Sequence, residues 1–374
     1  MPSEISIWGE EPKRVQPFCP VVSAKIAIVT DAPSMEDLKW GKPLSDQKGK
    51  FLNSMLRDAG INKHECYITS VLKHRPLKGD VLKLCDKKKE TTNEAKEIFG
   101  WKTYPFAPLA SGKYLPATHC VELFELQKEL RDLNPNLIIA LGNVAVWAVC
   151  GISGITKHRG TAIASRLIPG CKVIPTFNPG AVQADYSKKV VVVADLIKAE
   201  RESHFPELIR PERKIYIAET IEDIRWYWKE FLADSPLIGC DIETLRNRFI
   251  SCISFSDHPS RALDIPFITY DGIFHGHYWE TPKEELAAWD WVTMILEDPT
   301  TEIVGQNFLY DIQYLLKCGI RPKNVRRDTM IAHHALYPEL PKNLGFLGSV
   351  YTNEASWKNM RPRGKQKTKQ KKDE

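Results

Sequence analysis

The sequence predicts an α/β protein of two domains in tandem, and three observations predict it. Apolar runs short enough for strands alternate with amphipathic stretches in both halves of the chain. A charged segment carrying Pro206 and Pro211 divides two blocks that each open on a strand-like run. The chain has 374 residues, 43% apolar and 26% charged, enough for two ordinary cores.

In the first half, the apolar run at 24–29 reads as a buried strand and 49–59 as a helix. A strand is expected at 66–72, a helix at 120–133, and a strand at 137–141 with Gly142 behind it. A short helix at 143–149, a strand at 172–176 and a closing helix at 190–201 complete the block. Strands that alternate with helices imply a parallel or mostly parallel sheet covered on both faces. The boundary falls near Phe205. The second half opens with a strand at 214–218 and a helix at 221–233, followed by strands at 237–242, 249–256 and 262–266. Ile250, Cys252, Ile253 and Phe255 alternate imperfectly, as in a central strand. A helix at 289–296, a strand at 302–305, a helix at 310–318 and a helix at 328–337 capped by Asp328 follow, with a mixed sheet expected. No internal repeat is apparent.

No run approaches the ~20 apolar residues that span a bilayer, and the N-terminus lacks the basic and apolar regions of a signal peptide. Nine scattered cysteines read as reduced thiols, so a cytoplasmic location is expected, in a host cell if the protein is viral. The net charge of +5 is uneven: Lys358 to Lys372 holds eight Lys or Arg and no acid. This basic tail, 358–374, is expected to be disordered. Two readings stand for it, a solvated tail or a salt-sensitive attraction for nucleic acid phosphates.

The chemistry is concentrated in the second half. Asp241 and Glu243 end an apolar run two residues apart, so a strand would present both on one face. Asp311 follows in Gly305-Gln306-Asn307-Phe308-Leu309-Tyr310-Asp311, at the start of an amphipathic segment. Three carboxylates from two elements suit hard divalent cations, and such a site can hydrolyse a phosphodiester. The other reading is that these acids are strand ends and a helix-start carboxylate favoured by the helix dipole.

Asp-Ile-Glu-Thr, the later Asn-Phe-Leu-Tyr-Asp and Asp328-Thr329-Met330-Ile331 together resemble the 3′→5′ exonuclease domain of family A DNA polymerases, in the DEDD superfamily. The resemblance covers about 214–357 and implies a ribonuclease H-like α/β domain with a mixed sheet, the exonuclease domain being set at 206–357. It implies that Asp241, Glu243 and Asp311 are catalytic ligands of two Mg2+ or Mn2+ ions, the second held weakly. Asn307 would sit beside the 3′-terminal nucleotide, and Asp328 would be structural. The family's third motif, Tyr-x-x-x-Asp, is absent after Asp328: Pro341 follows Tyr337 at that spacing and Ala355 follows Tyr351. The expectation is the front portion of a bacteriophage polymerase, ended early or split, with the fourth acid supplied by a separately encoded polymerase fragment.

The first half resembles the uracil-DNA glycosylase superfamily, particularly its family 4-like members, over about 24–199. The motifs are Thr30-Asp31-Ala32-Pro33-Ser34 with Glu36-Asp37, Gly41-Lys42-Pro43-Leu44 with Gly49, and Tyr67-Ile68-Thr69-Ser70-Val71-Leu72-Lys73-His74-Arg75-Pro76. Pro135 to Gly142 and Pro175-Thr176-Phe177-Asn178-Pro179 complete the order. The resemblance implies a three-layer α/β/α domain, set at 1–205. It also implies a degenerate pocket: Leu44 replaces the stacking Phe, Ser70 the Asn that reads uracil, and Asn178 the His of His-Pro. Asp31 survives at the water-activating position. Base excision needs stacking, edge recognition and charge stabilisation together, so the first half is expected to bind or dock on DNA without cutting it. Some members hold an iron–sulfur cluster on four cysteines; with His74 in one cysteine's place, and Cys19 lacking a close partner, no cluster is expected.

Lys73 and Arg75 (with Lys78), and Lys157 and Arg159 (with His158), form two basic groups that could contact phosphates. Solvated surface is the competing reading. The function expected is proofreading-type hydrolysis of single-stranded DNA 3′ ends during DNA replication, with no membrane partner. The rivals are a non-catalytic DNA-binding module and an active uracil or modified-base DNA glycosylase.

Overall fold

The structure, a computed structural model, describes residues 13–21, 23–210, 212–246, 248–270 and 275–352. The basic tail at 358–374 lies outside the described residues. The chain divides into two compact units: residues up to Leu208 together with the segment from Gly345 on, and Ile209–Leu344.

The first unit is built on strands β1 (Ile26–Thr30), β2 (Cys66–Ser70), β3 (Leu137–Leu141), β4 (Ile163–Ala164) and β5 (Lys172–Thr176). Their order is β2-β1-β3-β5-β4, parallel throughout except for the short β4. Every residue of β1, β3 and β5 is buried, the mark of a parallel sheet covered on both faces. The two cores follow from the period-2 alternation of side chains. Ala27, Val29, Ile138, Ala140 and Val173 pack on one face with Leu123, Leu126 and Leu130 of the helix Cys120–Leu133. Ile28, Ile139, Leu141 and Ile174 pack on the other with Leu52, Met55 and Leu56 of the helix Gln47–Asp58 and Leu196 of the helix Lys188–Glu202. This is the three-layer arrangement expected from the sequence.

The second unit holds β6 (Lys214–Ile217), β7 (Leu237–Leu245), β8 (Phe249–His258), β9 (Arg261–Pro266), β10 (Ile268–Tyr270), β11 (His275–His277), β12 (Glu302–Gly305) and β13 (Val325–Asp328). Six of them form one sheet in the order β13-β12-β7-β8-β9-β6, and β10 pairs with β11. The sheet is mixed: β7 runs parallel to β12 and antiparallel to β8. The helix Pro282–Glu297 buries Ala288, Val292, Ile295 and Leu296 in the core that Ile238, Ile253, Phe255 and Ile265 supply from the strands.

Several elements differ from the expectations. The helix expected at 221–233 is α-helical over Ile221–Tyr227 and widens to a π-turn over Trp228–Leu232. The one expected at 289–296 begins earlier, at Pro282, on a capping box of Thr281 and Glu284. The helix Lys88–Phe99 buries only Thr91 and Ala95, so no apolar stripe announced it.

Candidate functional site

In β7 the residues Ile238, Cys240 and Ile242 are buried, while Asp241 and Glu243 are exposed on the opposite face. The strand therefore carries both carboxylates outward on one side, as its pleat demands. The third acid reaches them from the helix Leu309–Lys317. Asp311 is 4% exposed, and its Oδ1 accepts the backbone N–H of Ile242 at 3.0 Å. Ile242 lies between Asp241 and Glu243, so this bond pins the start of the helix to the strand beside both acids.

The electrostatics follow from that placement. Burial, then the like charges of Asp311 and Glu243, push Asp241 up to about 6. Asp241 keeps exposed surface, yet it stands in a recess deep enough for desolvation to be the largest cause. Burial raises Asp311 to about 6 as well, opposed by the Ile242 N–H. The charged neighbours acting on Asp241 are thus of its own sign. An all-oxygen donor set with excess negative charge fits a hard divalent cation such as Mg2+ or Mn2+. The oxygens of 241, 243 and 311 are not all within 4.8 Å of one another; among the described residues His74, His119 and Glu122 alone form such a group. Asp311 is the pinned member, while Asp241 and Glu243 are exposed on the strand.

The motif around Asp311 is legible atom by atom. A Cβ on Gly305 would meet the Phe308 ring at 2.3 Å, so only glycine lets Phe308 fold into the core. Gln306 donates from Nε2 to the Lys342 carbonyl at 2.9 Å. Asn307 is exposed and left-handed, with φ 55°. Asp328 holds this turn: its carboxylate accepts from the backbone N–H groups of Asn307 at 3.0 Å and Phe308 at 2.8 Å, and from Met330 and Ile331 in its own helix. The hydroxyl of Tyr310 lies 3.0 Å from that of Thr244 at the end of β7, a contact that sequence reasoning missed.

In the first unit three of the four sequence-predicted pocket residues lie at or just beyond the C-terminal ends of parallel strands, where open α/β sheets place ligands. Asp31 follows β1, Ser70 ends β2 and Asn178 follows β5, whereas Leu44 lies between the helices Met35–Trp40 and Gln47–Asp58. Asp31 accepts the Ala145 N–H at 3.2 Å and an Asn178 Nδ2 hydrogen at 3.4 Å. Gly142, at φ 91°, leaves room for this pair: a Cβ there would lie 3.2 Å from Asn178 Nδ2 and 3.4 Å from Asp31 Oδ1. Burial raises the Asp31 carboxyl to about 6. Asn178 also caps the helix Pro179–Ala184 through the Ala181 N–H. Ser70 is buried and its hydroxyl donates to the Leu72 carbonyl at 2.7 Å. Leu44 is buried in a left-handed conformation, its carbonyl so close that a Cβ on Gly49 would stand 1.8 Å from it.

Two expected phosphate contacts are corrected by their burial. Lys73 is 3% exposed, and its ammonium donates to Glu129, Thr69 Oγ1 and the Ser70 carbonyl. Arg159 is 3% exposed and is paired with Asp195 and Ser349. In both, apolar packing and a carboxylate have drawn the charge inside, which a cluster of basic letters does not reveal. Lys157 is exposed, and Arg75 is partly buried beside the Pro33 carbonyl. Cys120 is buried, and Cys85 is partly buried with its thiol pushed up to about 11 by burial.

Residues 16–202, half of the chain, match the Uracil DNA glycosylase superfamily. The chain belongs to that superfamily. Residues 217–371 match a family described as 3′-5′ exonuclease, so the glycosylase-like domain is fused to an exonuclease domain of the hydrolase class. The chain is 29% identical over 183 residues to the type-4 uracil-DNA glycosylase of Thermotoga maritima, covering 48% of this chain and 78% of that protein. It is 23% identical over 322 residues to the DNA polymerase of Bacillus phage SP01, covering 78% of this chain and 30% of the polymerase. Among solved structures, the RNase D of Trypanosoma brucei in complex with GMP is 16% identical with a TM-score of 0.31, covering 39% of this chain and 44% of that one.

Proposed function

We propose that the exonuclease domain removes nucleotides from single-stranded DNA 3′ ends during replication, and that the glycosylase-like domain binds DNA without excising bases. The observation that carries the first part is the Asp311 to Ile242 hydrogen bond, which seats a third acid beside Asp241 and Glu243. Mg2+ or Mn2+ held by these three would supply an activated water and stabilise the leaving 3′ oxygen. Asp311 would be the fixed ligand, with the exposed Asp241 and Glu243 completing the set. Asn307, presented by the turn that Asp328 holds, orients the terminal nucleotide.

The second part is supported by how the replaced residues are engaged. Ser70 gives its hydroxyl hydrogen to a backbone carbonyl, and Asn178 is shared between Asp31 and a helix cap. Neither arrangement favours reading or expelling a base. One assay separates the readings: 5′-labelled single strands, with and without Mn2+, on wild type, Asp241→Ala and Asp31→Ala. Metal-dependent laddering from the 3′ end that vanishes in Asp241→Ala supports the exonuclease. Alkali-sensitive breaks at uracil that need Asp31 but no metal would make the domain an active glycosylase. DNA binding with neither product, indifferent to Asp241→Ala, would leave a pure binding module.

A further inference from the structure

We propose that His74, His119 and Glu122 form a Zn2+ site in the glycosylase-like domain, separate from the acids of the exonuclease domain and independent of the function proposed above. The ligand atoms of these three side chains all lie within 4.8 Å of one another, and all three are partly buried. His119 and Glu122 stand three apart at the start of the helix Cys120–Leu133, so they share a face. His74 comes from the segment after β2, its Nδ1 2.6 Å from Glu122 Oε1 and its ring stacked on that of His119 with centroids 5.0 Å apart.

Two imidazoles and one carboxylate are the donors that borderline divalent ions of the first transition row prefer, and Zn2+ is the commonest fit, with a fourth position left for water. The carboxylate is already oriented: its other oxygen, Oε2, accepts the Lys73 N–H at 2.6 Å. Outer-shell bonds of this kind fix a ligand's direction and raise metal affinity. The surroundings are acidic. Glu122, Glu125 and Glu129 follow one another along the same helix, and Arg14 feels all three while Lys73 pairs with Glu129. Three carboxylates face two fixed cations there, leaving negative charge for an ion to neutralise. To admit the ion, the Nδ1 to Oε1 distance must open to about 3.4 Å, the edge of a tetrahedron with 2.0–2.2 Å bonds. The ion would staple the segment after β2 to the helix Cys120–Leu133.

The test is equilibrium dialysis of the full chain against Zn2+, after stripping with chelator, with excess Mg2+ present to occupy the oxygen-only site. Wild type, His119→Ala and Glu122→Gln are compared, with the thermal midpoint of each recorded with and without Zn2+. His119→Ala keeps the His74–Glu122 contact, so it should fold. The expected result is one equivalent of Zn2+ on wild type with a raised midpoint, and affinity lowered about 100-fold or more in both variants. Zinc binding weaker than millimolar in wild type, or full retention in either variant, would overturn the proposal.

Discussion

Burial keeps three carboxylates, those of Asp31, Asp241 and Asp311, from ordinary solvation. Asp31 is raised from 3.8 to about 6 by burial, so the folded chain holds its proton over a range where the unfolded chain has lost it. The contribution of this group to stability is therefore complete below pH 3.8 and is lost as pH rises through about 6. Asp31→Asn cannot titrate and should remove that part of the decline; urea midpoints from pH 4 to 7 will show a shallower fall in the variant, and parallel curves would refute the assignment. Gly305 is decided by space alone. Gly305→Ala drives a Cβ into the Phe308 ring and should cost about 1–3 kcal/mol, read from denaturant unfolding. The shared outward face of Asp241 and Glu243 was legible because a period-2 pattern fixes which residues share a strand face. The burial of Lys73 and Arg159 was not, because it depends on Glu129 and Asp195, which lie 56 and 36 residues away.

At the scale of elements, one cap holds the turn at Asn307 and Phe308 together. Asp328 accepts backbone N–H groups from the turn at Asn307 and Phe308 and from its own helix, tying the end of β13 to the entry of the helix Leu309–Lys317. Asp328→Ala should lower stability by about 1–2 kcal/mol, with Asp328→Asn milder, as unfolding curves will report. Equal stability of wild type and Asp328→Ala would show that the turn stands without it. The cap was readable in the sequence as a helix start, whereas its reach to Asn307 was not, since register between β12 and β13 is set by tertiary packing. Strand β13 itself, Val325-Arg326-Arg327-Asp328, escaped notice for a physical reason: it is an edge strand, and edge strands tolerate charge. The buried strands of the first unit were plain because a sheet covered on both faces leaves nearly unbroken apolar runs.

At the scale of the whole molecule, the chain joins two domains whose sequences both point to DNA, with the charge excess carried at one end. Removing 358–372 deletes eight cationic side chains and should weaken single-strand binding uniformly across sequences. The slope of log affinity against log salt should fall by about 0.7 for each phosphate the tail had neutralised, and an unchanged slope would assign the tail no part in binding. Among the described residues no helix is long and apolar enough to cross a membrane. Asp241, Glu243 and Asp311 are proposed to hold a divalent cation together. Mn2+ titration of the full chain followed by electron paramagnetic resonance tests it most directly. Bound Mn2+ is expected in wild type and lost in both Asp241→Ala and Asp311→Ala; equal Mn2+ binding by wild type and these variants would show that the three acids hold no ion.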